Sequence, residues 1–140
     1  METLVNGTII RAWGSTPVQR DQYDRRLIQK AIGYLEAGLP VMMSPEGTRS
    51  WKRGMNPARP GAGYLALKTG VPIVPVAVTG TELMFKGGRP AISMRVGEPF
   101  SLPDLPLSGP ERHASIAQAT RTMMNRLASM LPPEYRDVYA

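Results

Sequence analysis

The sequence predicts an α/β domain, a mostly parallel β-sheet flanked by helices and incomplete at its N-terminus. Three observations predict it. Helical and extended patterns run in the order helix, strand, helix, strand, strand, helix, and such alternation builds open α/β sheets. The clearest strand pattern, Val71 to Val78, is apolar throughout, with two prolines, as suits a strand covered on both faces. Only three strands are legible, few for such a sheet. Either part of the sheet is missing, or some segments with loop character are strands.

Residues 1–13 are mixed, and Thr8-Ile9-Ile10 fits a helix end or a strand. Gly14 to Arg20 reads as a turn leading into a short extended piece. The first helix is predicted over Gln22–Ala37, because Leu27, Ile28, Ala31, Ile32 and Leu35 recur at helical spacing. Asp24 suits its first turn, and Gly38 stops it. Pro40 to Ser44 is expected as a short buried strand. The stretch from Pro45 to Pro60, about 16 residues rich in proline and arginine, shows no regular pattern. A loop of that length in a compact domain is usually functional or disordered.

A second helix is predicted over Gly61–Thr69, stopped by Gly70, and a strand over Pro72–Val78. A turn-rich connection follows from Thr79 to Pro90. Ala91–Val96 alternates as a third strand, and Ser101–Gly109 is a proline-rich link. The last helix is predicted over Pro110–Leu131, with Pro110 at a first helical position and Ser108 or Gly109 as cap. Its expected apolar stripe is Ile116, Thr120, Met123, Leu127 and Met130, and Pro132-Pro133 end it.

A chain of 140 residues is one domain by length and buries about 68–70% of its unfolded surface. It has no cysteine, which excludes disulfides, thiolate zinc sites and cysteine nucleophiles. Seventeen basic residues against 11 acidic ones give a net charge of +6, which favours anionic partners such as phosphate esters, nucleic acid or an acidic membrane surface. Two tryptophans and two phenylalanines form no spaced stacking platform, which argues against a nucleic-acid partner. No run approaches the ~18 apolar residues of a membrane span, so any membrane contact is expected to be peripheral or to use residues outside this chain.

The segment most suited to chemistry is Pro45-Glu46-Gly47-Thr48-Arg49. It follows the expected Pro40–Ser44 strand, and ligands of open α/β sheets gather at carboxyl ends of strands. Arg49 offers a planar cationic fork suited to phosphate. Gly47 lets backbone approach a ligand. Glu46 can accept hydrogen bonds from ligand hydroxyls or hold an arginine, although an ordinary polar turn with an internal Glu–Arg pair fits the same residues.

Pro45 through Ser50 resembles the third motif of the glycerolipid acyltransferases, Phe-Pro-Glu-Gly-Thr-Arg-Ser, at six of seven positions, with Ser44 in place of phenylalanine. Val71-Pro72-Ile73-Val74-Pro75-Val76 is similar to the fourth motif, and Gly14 to Arg20 to the second. The three stand in the family's order between Gly14 and Thr81. The resemblance implies one partial acyltransferase domain over residues 1–140, with its motifs in 14–81. It also implies transfer of a fatty acyl group from acyl-CoA or acyl carrier protein to lysophosphatidic acid or glycerol-3-phosphate, in phospholipid synthesis at the cytoplasmic side of a membrane. The acceptor would be held by Arg20, Glu46, Gly47, Thr48 and Arg49, with Ser50 in support. No cofactor is implied beyond the acyl donor, which is a substrate. The fourth motif reads as mainly structural.

In that family a His-x4-Asp motif upstream of the second supplies the base and the group that orients it. The single histidine here, His113, is followed five residues on by Gln118, not aspartate. His113 is expected to be exposed or to cap the last helix. The expectation is a chain that starts after the catalytic motif, Met1 being internal or a false start, and that is inactive alone. The alternative is a non-catalytic homologue that binds phospholipid headgroups or a partner.

Overall fold

The computed structural model describes residues 24–48, 53–83 and 91–140. Helix α1, Arg25–Glu36, is capped by Asp24, whose carboxylate accepts the amides of Arg26 and Leu27 at 3.0 and 3.1 Å. Asp24 is thus the cap, not a first-turn acid, and it satisfies two of the donors a helix start leaves open. The five residues predicted for the inward face are all buried or half-buried. Gly38 stands in the left-handed region at φ +75° just past the last turn, as a helix stop requires.

Helix α2, Gly61–Thr69, has the predicted bounds and ends at Gly70. Its inner side is Ala62, Gly63, Leu65 and Ala66. Gly63, where an added Cβ would meet the Thr120 amide at 2.9 Å, lets it lie close to helix α3, Arg112–Met130, which is its main neighbour; α1 also packs against it. The N-cap of α3 is Glu111 rather than Ser108 or Gly109. The buried seam of α3 is Ser115, Ile116, Ala119, Met124 and Ala128, while Met123, Leu127 and Met130 are half-buried. The predicted stripe shares Ile116 with the real seam and is turned about one residue further along, from Met123 and Leu127 to Met124 and Ala128, which meet Met55.

The sheet corrects the expectation of a mostly parallel one. Strands β1, Val76–Thr79, and β2, Ser93–Val96, pair antiparallel, with Val76 opposite Val96 and Val78 opposite Met94. The connection accords with this: its sequence contains Gly87-Gly88 and Pro90, poor helix formers, whereas a parallel pair is usually joined by a helical crossover. The coarser expectation, mixed α and β, holds. The prolines shorten the strand, since each lacks an amide for the ladder. Regular pairing begins only after Pro75, whose carbonyl accepts the Gly97 amide, and beyond it Ile73 and Phe100 form an isolated bridge.

Two further strand expectations fail. Pro40–Ser44 forms no strand, and Met42 is 97% exposed. Nor is the Val71–Val78 segment covered on both faces. Ala77 is buried toward α3, while Val76, Val78, Met94 and Val96 are exposed on the opposite face. Among the described residues no helix is long and apolar enough to cross a membrane.

Candidate functional site

Two of the predicted site residues, Arg20 and Arg49, lie outside the described residues, as does Ser50. Of the other three, Glu46 and Gly47 lie in one tight turn and Thr48 directly follows it. The turn is closed by the Gly47 amide donating to the Ser44 carbonyl at 3.2 Å. Gly47 takes φ +65°, a conformation that costs an L-residue strain.

The turn does not stand alone. The Arg59 amide donates to the Pro45 carbonyl at 2.8 Å. Glu46 Oε2 accepts both the backbone amide and the side-chain amide of Asn56, each at 2.9 Å. A carboxylate held this way has its direction set before any ligand arrives, and hydrogen bonds to a charged acceptor are the stronger kind. Both bonds fall on Oε2, so neither engages Oε1. The Arg59 side chain passes over Gly47: a Cβ there would stand 2.8 Å from Arg59 Cδ and 3.2 Å from Nε. The glycine therefore makes room for an arginine that lies ten residues beyond the motif's own.

Behind the turn, the segment from Arg53 to Pro60 is fastened to the far end of the chain. Met55 is 5% exposed and packs with Met124 and Ala128, joined by Ala58, Leu127, Leu131 and Tyr139. Arg53 Nε meets Glu82 Oε1 at 3.2 Å and its guanidinium lies 5.3 Å from the centre of the Tyr135 ring. The Tyr135 hydroxyl donates to the same Glu82 oxygen at 2.6 Å. That bond, aided by the Glu82 backbone amide and Arg53, holds the Glu82 carboxyl below its ordinary range. It also pushes the Tyr135 phenol above its own, since losing the proton would set two anions side by side.

The residue reading above did not anticipate Asn56, Arg59 or the Arg53–Glu82–Tyr135 group. For Asn56 a signal existed, because Asn56-Pro57 is a turn-forming pair. For the Arg53–Glu82–Tyr135 group, partners 29 and 53 residues apart share no local pattern. His113 is exposed on the first turn of α3, as expected, and among the described residues no cluster of acidic or imidazole groups could hold a metal ion.

The model of the Acyltransferase family matches residues 2–79, more than half of the chain. The chain belongs to the Acyltransferase family. The matched stretch ends with β1 and includes the Glu46 turn and the whole of α1 and α2. A 1-acyl-sn-glycerol-3-phosphate acyltransferase of Chlamydomonas reinhardtii is 31% identical over 121 residues, which cover 84% of this chain and 35% of that protein. The protein of the same name from Escherichia coli K12 is 31% identical over 96 residues, 69% of this chain and 39% of its own length. One from Haemophilus influenzae is 46% identical over 47 residues, 34% of this chain and 20% of its own length. This member of the Acyltransferase family thus spans 35% to 39% of the length of the first two. No solved structure matches it.

Proposed function

We propose that this chain is the acceptor-holding part of an acyltransferase that moves a fatty acyl group from acyl-CoA or acyl carrier protein to lysophosphatidic acid or glycerol-3-phosphate. In that reaction the acceptor hydroxyl oxygen forms an ester bond to the acyl carbon. The thioester carbon–sulfur bond breaks, and the hydroxyl proton ends on the released thiol. Arg20 and Arg49 hold the phosphate. Glu46 accepts a hydrogen bond from a glycerol hydroxyl, and Gly47 and Thr48 shape the turn beside it. The protein works at the cytoplasmic face of a membrane, which it meets peripherally.

The observation that carries this reading is the Glu46 carboxylate, fixed through Oε2 by both amides of Asn56 at a left-handed glycine turn. It lies within the stretch matched to the Acyltransferase family. A carboxylate oriented in advance suits recognition of a hydroxyl, because less freedom is lost on binding. The relatives' names, which specify 1-acyl-sn-glycerol-3-phosphate, support this acceptor class. The 140 residues hold no His-x4-Asp sequence, so they should catalyse no turnover by themselves. That same observation favours the second reading, a homologue that binds phospholipid headgroups without chemistry.

Calorimetric titration of sn-glycerol 3-phosphate into the 140-residue chain tests the site. Binding is expected, weakened about tenfold or more by Arg49→Ala, the size of one charged hydrogen bond, and also weakened by Glu46→Gln. Equal affinity in all three proteins would refute the assignment. Acyl transfer from acyl-CoA by the same chain would refute the catalytic part of the proposal.

A further inference from the structure

We propose that Tyr139 and the backbone of Tyr135 are positioning groups for Glu46: the 3-10 turns Pro133–Tyr135 and Asp137–Tyr139 clasp the segment that aims its carboxylate. The inference rests on the reading of Glu46 as an acceptor ligand and adds the parts that set its geometry.

Asn56 lies between two fastened points. On one side the Met55 amide donates to the Tyr135 carbonyl at 3.1 Å. On the other the Ala58 amide donates to the Tyr139 hydroxyl at 2.9 Å. Between them Asn56 gives both its amides to Glu46, and next to Ala58 the Arg59 amide holds the Pro45 carbonyl. The clasp has a close fit at its base. Gly54, at φ +120°, lies so near Asp137 that a Cβ there would stand 2.9 Å from the Asp137 Cβ, and Asp137 itself takes φ 45°. The packing of Met55 and Tyr139 against Met124 and Ala128 anchors both halves to α3. Of these contacts only the Tyr139 hydroxyl can be removed with little change of shape, because the ring keeps its place against Met55 when the oxygen is lost.

Tyr139→Phe in the full 140-residue chain is the test, with Ile116→Val, about two turns before Met124 on α3, as a control for general loss of stability. Amide hydrogen exchange at Ala58 and Asn56, the Asn56 side-chain resonances, and the Kd for sn-glycerol 3-phosphate are measured together. In Tyr139→Phe, protection at Asn56 should fall about fivefold, the size of one neutral hydrogen bond. The Asn56 side-chain signals should move, and the Kd should rise by a similar factor. Ile116→Val should leave all three unchanged. Loss of protection at Ala58 alone, with Asn56 as in the parent chain, would overturn the clasp. If the parent chain binds no glycerol phosphate, the acceptor reading fails. The exchange at Asn56 then still decides whether Tyr139 positions Glu46.

Discussion

Replacing Gly47 by alanine isolates the geometry of the turn that carries Glu46. Two costs add. At φ +65° an L-residue sits in the left-handed region, about 1–2 kcal/mol above its ordinary conformation. The new Cβ would also stand 2.8 Å from Arg59 Cδ, closer than such atoms approach. Arg59 is exposed and can swing aside, at about 0.5–1.5 kcal/mol for a displaced rotamer. The sum is about 1.5–3.5 kcal/mol, or a fall in Tm of about 5–12 °C for a chain of this size. Thermal unfolding followed by circular dichroism reads it. Gly33→Ala makes the same chemical change in the middle of α1, where nothing lies within 4 Å of the added carbon, and should raise Tm, since alanine is the better helix former by about 1 kcal/mol. In an Arg59→Ala background the penalty at Gly47 should shrink to the backbone part alone, a coupling that a double-mutant cycle measures. If Gly47→Ala melts at or above the parent temperature, the left-handed turn is not part of the folded chain, and the geometry assigned to Glu46 goes with it.

Two further outcomes are expected. Met124 is fully buried at the centre of the cluster behind the turn, so Met124→Ala should cost about 2–5 kcal/mol in urea unfolding; a loss below about 1 kcal/mol would contradict that core. The Tyr135–Glu82 bond makes stability depend on pH at both ends. Glu82 is held below its ordinary 4.5, so its contribution is present above that pH and fades as acid titrates the folded carboxyl. Tyr135 is raised above its ordinary 10.0, so its contribution is present below that pH and fades as the folded phenol loses its proton in stronger alkali. Tyr135→Phe should flatten both limbs of the profile of Tm against pH, and unchanged limbs would show that the bond does not persist in solution.

The legibility of this fold varied with how local each cause is. Helix α2 was read to its bounds because its stop is a single residue, Gly70, and its start follows Pro60. Helix α1 was read slightly long, because Asp24 serves it from outside, as a cap. The Pro40–Ser44 segment failed because four or five apolar residues look alike in a strand, a buried loop or an exposed one. Strand direction failed for a different reason. Three segments with strand character do not say which two are neighbours or in which direction they run. At the site, Glu46 and Gly47 were legible as types, a carboxylate and a free-turning residue in one loop. Their setting was not, because Asn56, Glu82, Tyr135 and Tyr139 meet through the fold and not along the chain.

The clasp has a consequence for the order in which the protein is made. Ala58 and its partner Tyr139 are 81 residues apart, and synthesis adds about 5–20 residues per second. Ala58 therefore leaves the ribosome about 4 to 16 s before the group it pairs with. Helices α1 and α2 lie wholly ahead of that point in the chain and can form early, whereas the Glu46 turn must wait. During that interval Met55 has neither Met124 nor Tyr139 to cover it, so the nascent chain keeps an apolar side chain in water beside the unfinished Glu46 turn.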